Sequence, residues 1–161
     1  MTEDFEVSQG KSTGDLGREA AWFTAHTLFA IFTLFGIVAV MWLFHPDPNA
    51  LNPKLLATVL ALLIPLVVGF LITKFATNDI GSYVWIAGLL IFAILCVVVI
   101  DRPTGPGLCE HCTLVERLWR TFFSFQHGSG LLGGDGPLVG TWIPLSLFGY
   151  AIGSKFALGT E

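Results

Sequence analysis

The feature that most constrains this chain is the run "AAWFTAHTLFAIFTLFGIVAVMWLF" over 20–44, which contains no Asp, Glu, Lys or Arg. At 1.5 Å per residue it makes a helix about 37 Å long, enough to cross a hydrocarbon core about 30 Å thick with some tilt. Trp22 and Trp42 stand near its two ends, where indole rings favour the membrane interface. The run stops at "HPDPN", where two prolines and an Asn favour a turn.

Three more apolar blocks follow, each bounded by short polar punctuation. The second, over 55–75, carries Pro65 in its middle and Lys74 near its end, where an ammonium can snorkel to the headgroups. The third, over 81–100, is rich in β-branched residues, but its length and lack of charge favour a spanning helix over a strand. The fourth, over 137–158, is softer, with glycines, serines and Pro144. Its Gly149 and Gly153 form G-x-x-x-G, a spacing that lets two helices approach closely.

The expected architecture is an all-α integral membrane protein with four transmembrane helices and one interfacial amphipathic helix. The tail over 1–19 is polar and acidic, with no apolar run and cleavage site of a signal peptide. The membrane domain covers 20–158. Its longest loop, 101–136, includes "TLVERLWRTFFSF", expected to form the amphipathic helix over about 113–125. On that helix Leu118, Trp119, Phe122 and Phe123 form the face expected to meet lipid or a partner, opposite Glu116, Arg117 and Arg120.

Composition fits this organisation. Only 12% of residues are charged and 53% are hydrophobic, whereas soluble domains carry about 25% charged residues. The net charge of −4 and the scattered basic residues give no footprint for nucleic acid. Four spans would place both termini on one side. The basic residues divide equally between the two sides, so the positive-inside rule does not set the orientation. The cysteines of the long loop would lie opposite the termini, where oxidation requires a non-cytoplasmic compartment, and this favours cytoplasmic termini.

Three motifs bear on chemistry. Gly128, Gly130 and Gly133 spell G-x-G-x-x-G. A dinucleotide loop needs a preceding strand and an acidic residue about twenty positions on, and neither is expected here. The stretch reads as a turn into the fourth span, and no nucleotide partner is expected. "CEHC" over 109–112 lacks the following His of a haem attachment and two ligands of a structural zinc site. Cys109 and Cys112 are disulfide candidates. They also share a side with His45, His111 and His127, and these five residues are the candidate metal ligands. The third candidate is His26, about one turn inside the first span. It could ligate a haem or chlorophyll, or make a polar contact between helices.

No acidic residue or Arg lies between the span ends, and no nucleophile–base arrangement is visible. The sequence therefore points away from an enzyme or an ion-coupled carrier and requires no cofactor. The leading expectation is a non-catalytic accessory subunit of a larger membrane complex, respiratory or photosynthetic, whose partners are the bilayer and other membrane subunits. The alternatives are a redox, metal- or pigment-binding membrane protein using His26 or the cysteine–histidine cluster, and a homo-oligomeric channel or carrier for an uncharged solute.

Overall fold

A computed structural model describes residues 13–44, 51–76, 79–101, 112–123 and 139–159. Among them every element is helical: α1 (Thr13–Phe44), α2 (Leu51–Ala76), a 3₁₀ turn (Asp79–Tyr83), α3 (Trp85–Asp101), α4 (Leu114–Phe122) and α5 (Val139–Leu158). Among the described residues, three segments are long and apolar enough to cross a membrane: Gly14–Ala39, Leu55–Ala76 and Asp79–Asp101.

The helices exceed or fall short of the apolar runs for a physical reason. Apolarity marks where lipid is met, whereas a helix ends where its backbone bonding ends. α1 thus begins at Thr13, before the apolar run, and its first turns carry Asp15 and Arg18 with 3.8 Å between their charged groups. The third segment opens with the 3₁₀ turn, in which the Ser82 hydroxyl donates to the Asp79 carbonyl at 2.7 Å, and α3 proper starts at Trp85. α4 is shorter than the expected 113–125. Thr113 caps it by accepting from the Glu116 amide at 3.4 Å, and Phe123 ends it.

α5 is the helix that the others surround. It packs against α1, α2, α3 and the 3₁₀ turn, most extensively against α2. Its softer composition follows from that position. Ser146, Leu147, Tyr150, Ala151, Ser154 and Ala157 are buried within the protein, so they need not be compatible with lipid tails. By contrast, α1, α2 and α3 each expose a row of large apolar residues, such as Phe29, Phe32 and Phe35 on α1.

Helix directions follow from paired contacts. On α2 and α5, Trp142 Nε1 donates to Thr58 Oγ1 at 3.1 Å, and further along Ser154 Oγ donates to the Gly69 carbonyl at 3.4 Å. The two helices therefore run parallel. On α1, His26 meets Tyr150 while Leu34 and Ile37 share a cluster with Ala61, Trp142 and Ile143, so α1 runs opposite to α5. Gly81 lies beside Ser154 and Gly88 beside Leu147, so α3 also opposes α5. One end of the bundle thus gathers the start of α1, the end of α2, the 3₁₀ turn and the end of α5.

Glycines set the α2–α5 spacing. A Cβ on Gly149 would fall on the Leu62 carbonyl, one on Gly153 on the Leu66 carbonyl, and one on Gly69 on the Tyr150 carbonyl. The G-x-x-x-G pair is used inside the chain, to bring one helix backbone against another, where many weak contacts replace a hydrophobic driving force that lipid does not supply.

α4 packs beside α3. The Phe122 ring lies 4.9 Å from Phe92, edge to face, near the middle of α3. The Phe122 carbonyl accepts from Thr141 Oγ1 in the first turn of α5 at 2.8 Å. Between them these contacts tie α4 to two long helices.

Candidate functional site

The end of the bundle where α1, α2, the 3₁₀ turn and α5 converge holds a buried polar cluster. His26 comes from α1, Thr73 from α2, and Tyr150 and Ser154 from α5; all four are buried. His26 lies on the inward stripe of α1 that continues through Ala30, Leu34 and Ile37, so helical periodicity turns its imidazole into the bundle. Tyr150 Oη and His26 Nδ1 are 2.6 Å apart, and the two rings meet edge to face at 5.7 Å. The Trp22 ring, one turn earlier on α1, stands 5.9 Å from the imidazole.

Gly81 is the hub of this cluster. A Cβ there would stand 2.8 Å from Ser154 Oγ, 3.2 Å from Thr73 Oγ1 and 3.3 Å from His26 Nδ1. Any side chain at 81 would displace polar groups of three helices at once. Beside the cluster, towards the bundle end, an open cleft of 580 Å³ runs between the first turns of α1 and the 3₁₀ turn. Phe23 and Ile80 line it, next to the His26 and Gly81 layer, as do Glu19 and Asp79.

The other residues singled out in the sequence are placed as follows. Cys112 is disulfide-bonded and Cys96 is free. Cys109, His45, His111, His127 and the glycine stretch over 128–133 lie outside the described residues. Among the described residues no group of three or more His, Cys, Asp or Glu side chains could hold a metal ion. On α4, Leu118 is half-buried and Phe122 is 1% exposed, whereas Trp119 and Phe123 are 61% and 52% exposed and stack on each other at 5.3 Å. Arg120 bonds Glu116 one turn back at 2.9 Å.

Sequence reasoning found His26 but not Tyr150, Thr73, Ser154 or Gly81. The signal was present in the topology: with four alternating helices, polar residues near the end of the second and fourth apolar blocks fall at the same level as one near the start of the first. No family model, curated protein or solved structure matches the chain.

Chemically, the cluster is a set of neutral hydrogen-bonding groups that joins helices distant in sequence. Tyr150→Phe should leave His26 Nδ1 buried without its partner, which costs about 1–3 kcal/mol. The effect should appear as a lower unfolding temperature in detergent. His26→Leu should then add less in the Tyr150→Phe background than alone, and strictly additive losses would show that the pair is not coupled.

Proposed function

We propose that this chain is a polytopic membrane protein of four spans, with α5 as the fourth, that serves as a non-catalytic accessory subunit of a larger membrane complex. The observation that carries the reading is how its polar groups are used. His26 with Tyr150, Trp142 with Thr58, Ser154 with Gly69 and Thr141 with Phe122 all bond one helix to another inside the chain. The outward rows of α1, α2 and α3 are apolar, and α4 adds the exposed Trp119–Phe123 stack. Such a molecule offers surfaces to lipid and to other subunits.

Length supports counting α5 among the spans. Its 20 residues make a helix about 30 Å long, running alongside three segments that are apolar enough to cross. Its position amid those segments weighs against a solute path along the bundle axis. The enclosure of His26 Nε2 among protein atoms weighs against a macrocycle seated on that nitrogen. An accessory role in a respiratory or photosynthetic assembly is the setting in which a small, surface-rich subunit of this kind has a use.

Two measurements test the reading. With Gln9→Cys and Thr160→Cys, an impermeant thiol reagent should label both positions from the same side, the cytoplasmic one; labelling from opposite sides would remove a span. Purification in mild detergent should yield a native particle well above the 17.5 kDa chain that contains foreign subunits. A particle built of this chain alone would favour the homo-oligomeric channel, and stoichiometric metal or visible absorbance would favour the redox or pigment reading.

A further inference from the structure

Several residues set the bundle end that carries the cleft at the level of the lipid headgroups. Glu19 is the last acidic residue before the uncharged run over 20–44, and Asp79 opens the third segment that is apolar enough to cross. Trp22, Tyr83 and Trp85 are exposed within two helical turns of those acids, and exposed indole and phenol rings collect at the membrane interface. Lys74 and Lys155, near the ends of α2 and α5, are exposed as well. Their ammonium groups can snorkel to the same level.

The cleft has two walls of matching chemistry. Leu16, Glu19 and Phe23 fall on one stripe of α1, three and four residues apart, and Asp79, Ile80 and Tyr83 line the cleft from the 3₁₀ turn. Each wall thus brings one carboxylate, one aromatic ring and one branched aliphatic chain. Among the described residues that line the cleft, the charged ones are both acidic. Basic side chains of this bundle end, Lys74 and Lys155, belong to α2 and α5 instead.

We propose that this cleft binds a phospholipid by its headgroup, and that the headgroup ends in a primary ammonium, as in an ethanolamine phospholipid. The surroundings supply the ligand, because a cleft at headgroup level is bathed in lipid. Its 580 Å³ lies within the range of small-ligand sites, roughly 300–1,000 Å³. Charge selects the part that enters. A primary ammonium carries N–H donors for both Glu19 and Asp79, whereas a quaternary ammonium has none. A glycerol headgroup brings no cation, and a serine headgroup adds a carboxylate that the two acids repel. The phosphate stays outside the cleft for the same reason. Phe23, one turn deeper along α1 than Glu19, and Ile80 give the glycerol and first acyl carbons an apolar surface. The site requires only that the chain lies in a bilayer, and it stands whether or not foreign subunits attach.

The test uses the full chain in nanodiscs made of equal parts ethanolamine, choline and glycerol phospholipids with the same acyl chains. Native mass spectrometry of the released protein should show the ethanolamine lipid retained in preference to the other two. Glu19→Gln and Asp79→Asn should each lower that retention roughly fivefold, the effect of losing a charge pair at a partly exposed site. Ala20→Trp, which fills the cleft and keeps both carboxylates, should lower it as well. Asp101→Asn, an exposed acid at the end of α3, should change nothing. Equal retention of the three lipids, preference for the choline lipid, or retention that survives both carboxylate variants would overturn the proposal, as would an equal loss with Asp101→Asn. If the carboxylate variants do not fold, Ala20→Trp decides, and if that fails too, the headgroup preference of the wild type decides on its own.

Discussion

Gly153→Leu is expected to unfold the bundle or to lower its unfolding temperature by roughly 10 °C or more. The first carbon of the new side chain would fall on the Leu66 carbonyl, with the Phe70 amide 3.0 Å away. These are backbone atoms inside α2, and they move only if the helix moves. Separating α2 from α5 would also stretch the Ser154–Gly69 bond, already 3.4 Å long, and the Trp142–Thr58 bond at the other end of the same interface. Overpacking typically costs 1–3 kcal/mol where side chains can give way, and here they cannot.

Two other glycines calibrate the effect. Gly36 on α1 has nothing within 4 Å, so Gly36→Leu should change stability by less than about 0.5 kcal/mol. Gly88 on α3 would bring a Cβ to 3.2 Å from the Leu147 Cβ, so Gly88→Ala should fall between the two. The order matters more than any single value. If Gly36→Leu and Gly153→Leu behave alike in thermal unfolding and size-exclusion profiles, the close approach of α2 and α5 is not what holds the bundle together.

The same comparison shows why parts of this fold can be read from sequence and parts cannot. α1, α2 and α3 expose rows of large side chains, and a helix facing lipid must be apolar on that side, which leaves a plain signal in the runs at 20–44, 55–75 and 81–100. α5 faces protein on most sides, so its sequence records close packing in Gly149 and Gly153 instead. Spacing alone says that a helix approaches closely there; it does not say whether that helix is α2 or belongs to a second molecule. The polar cluster is harder still. His26 and Tyr150 are separated by 124 positions, and no local pattern links them. Gly81 stands at the start of the third apolar run, and its closeness to three polar groups emerges only once the helices are placed.

On α4, the sequence groups Leu118, Trp119, Phe122 and Phe123 as one face, and the structure assigns them different surroundings. Phe122→Asp should detach α4 from the bundle. The ring is buried against Phe92, and removing a buried phenylalanine costs about 3–5 kcal/mol before any charge is considered. A carboxylate in that place adds a desolvation penalty of several kcal/mol, and it disturbs the Phe122 carbonyl that Thr141 holds at 2.8 Å. Protection of α4 against protease and against thiol labelling at Thr121→Cys, a position 3% exposed when α4 is docked, should be lost, while Tyr150 and its neighbours, packed at the far end, keep the remaining helices together. Phe123→Asp and Trp119→Asp should behave otherwise. Those rings are exposed on the chain itself, so their replacement should leave α4 docked and weaken only its hold on lipid or on a partner subunit, seen as loss of co-purifying protein. Arg120→Gln removes an exposed pair with Glu116, and such a pair one helical turn apart is worth about 0.3–0.5 kcal/mol, so it should change neither readout. If Phe122→Asp leaves α4 as protected as in the wild type, the Phe92 contact does not anchor it, and Phe122 belongs with Trp119 and Phe123 on a surface that something outside the chain must cover.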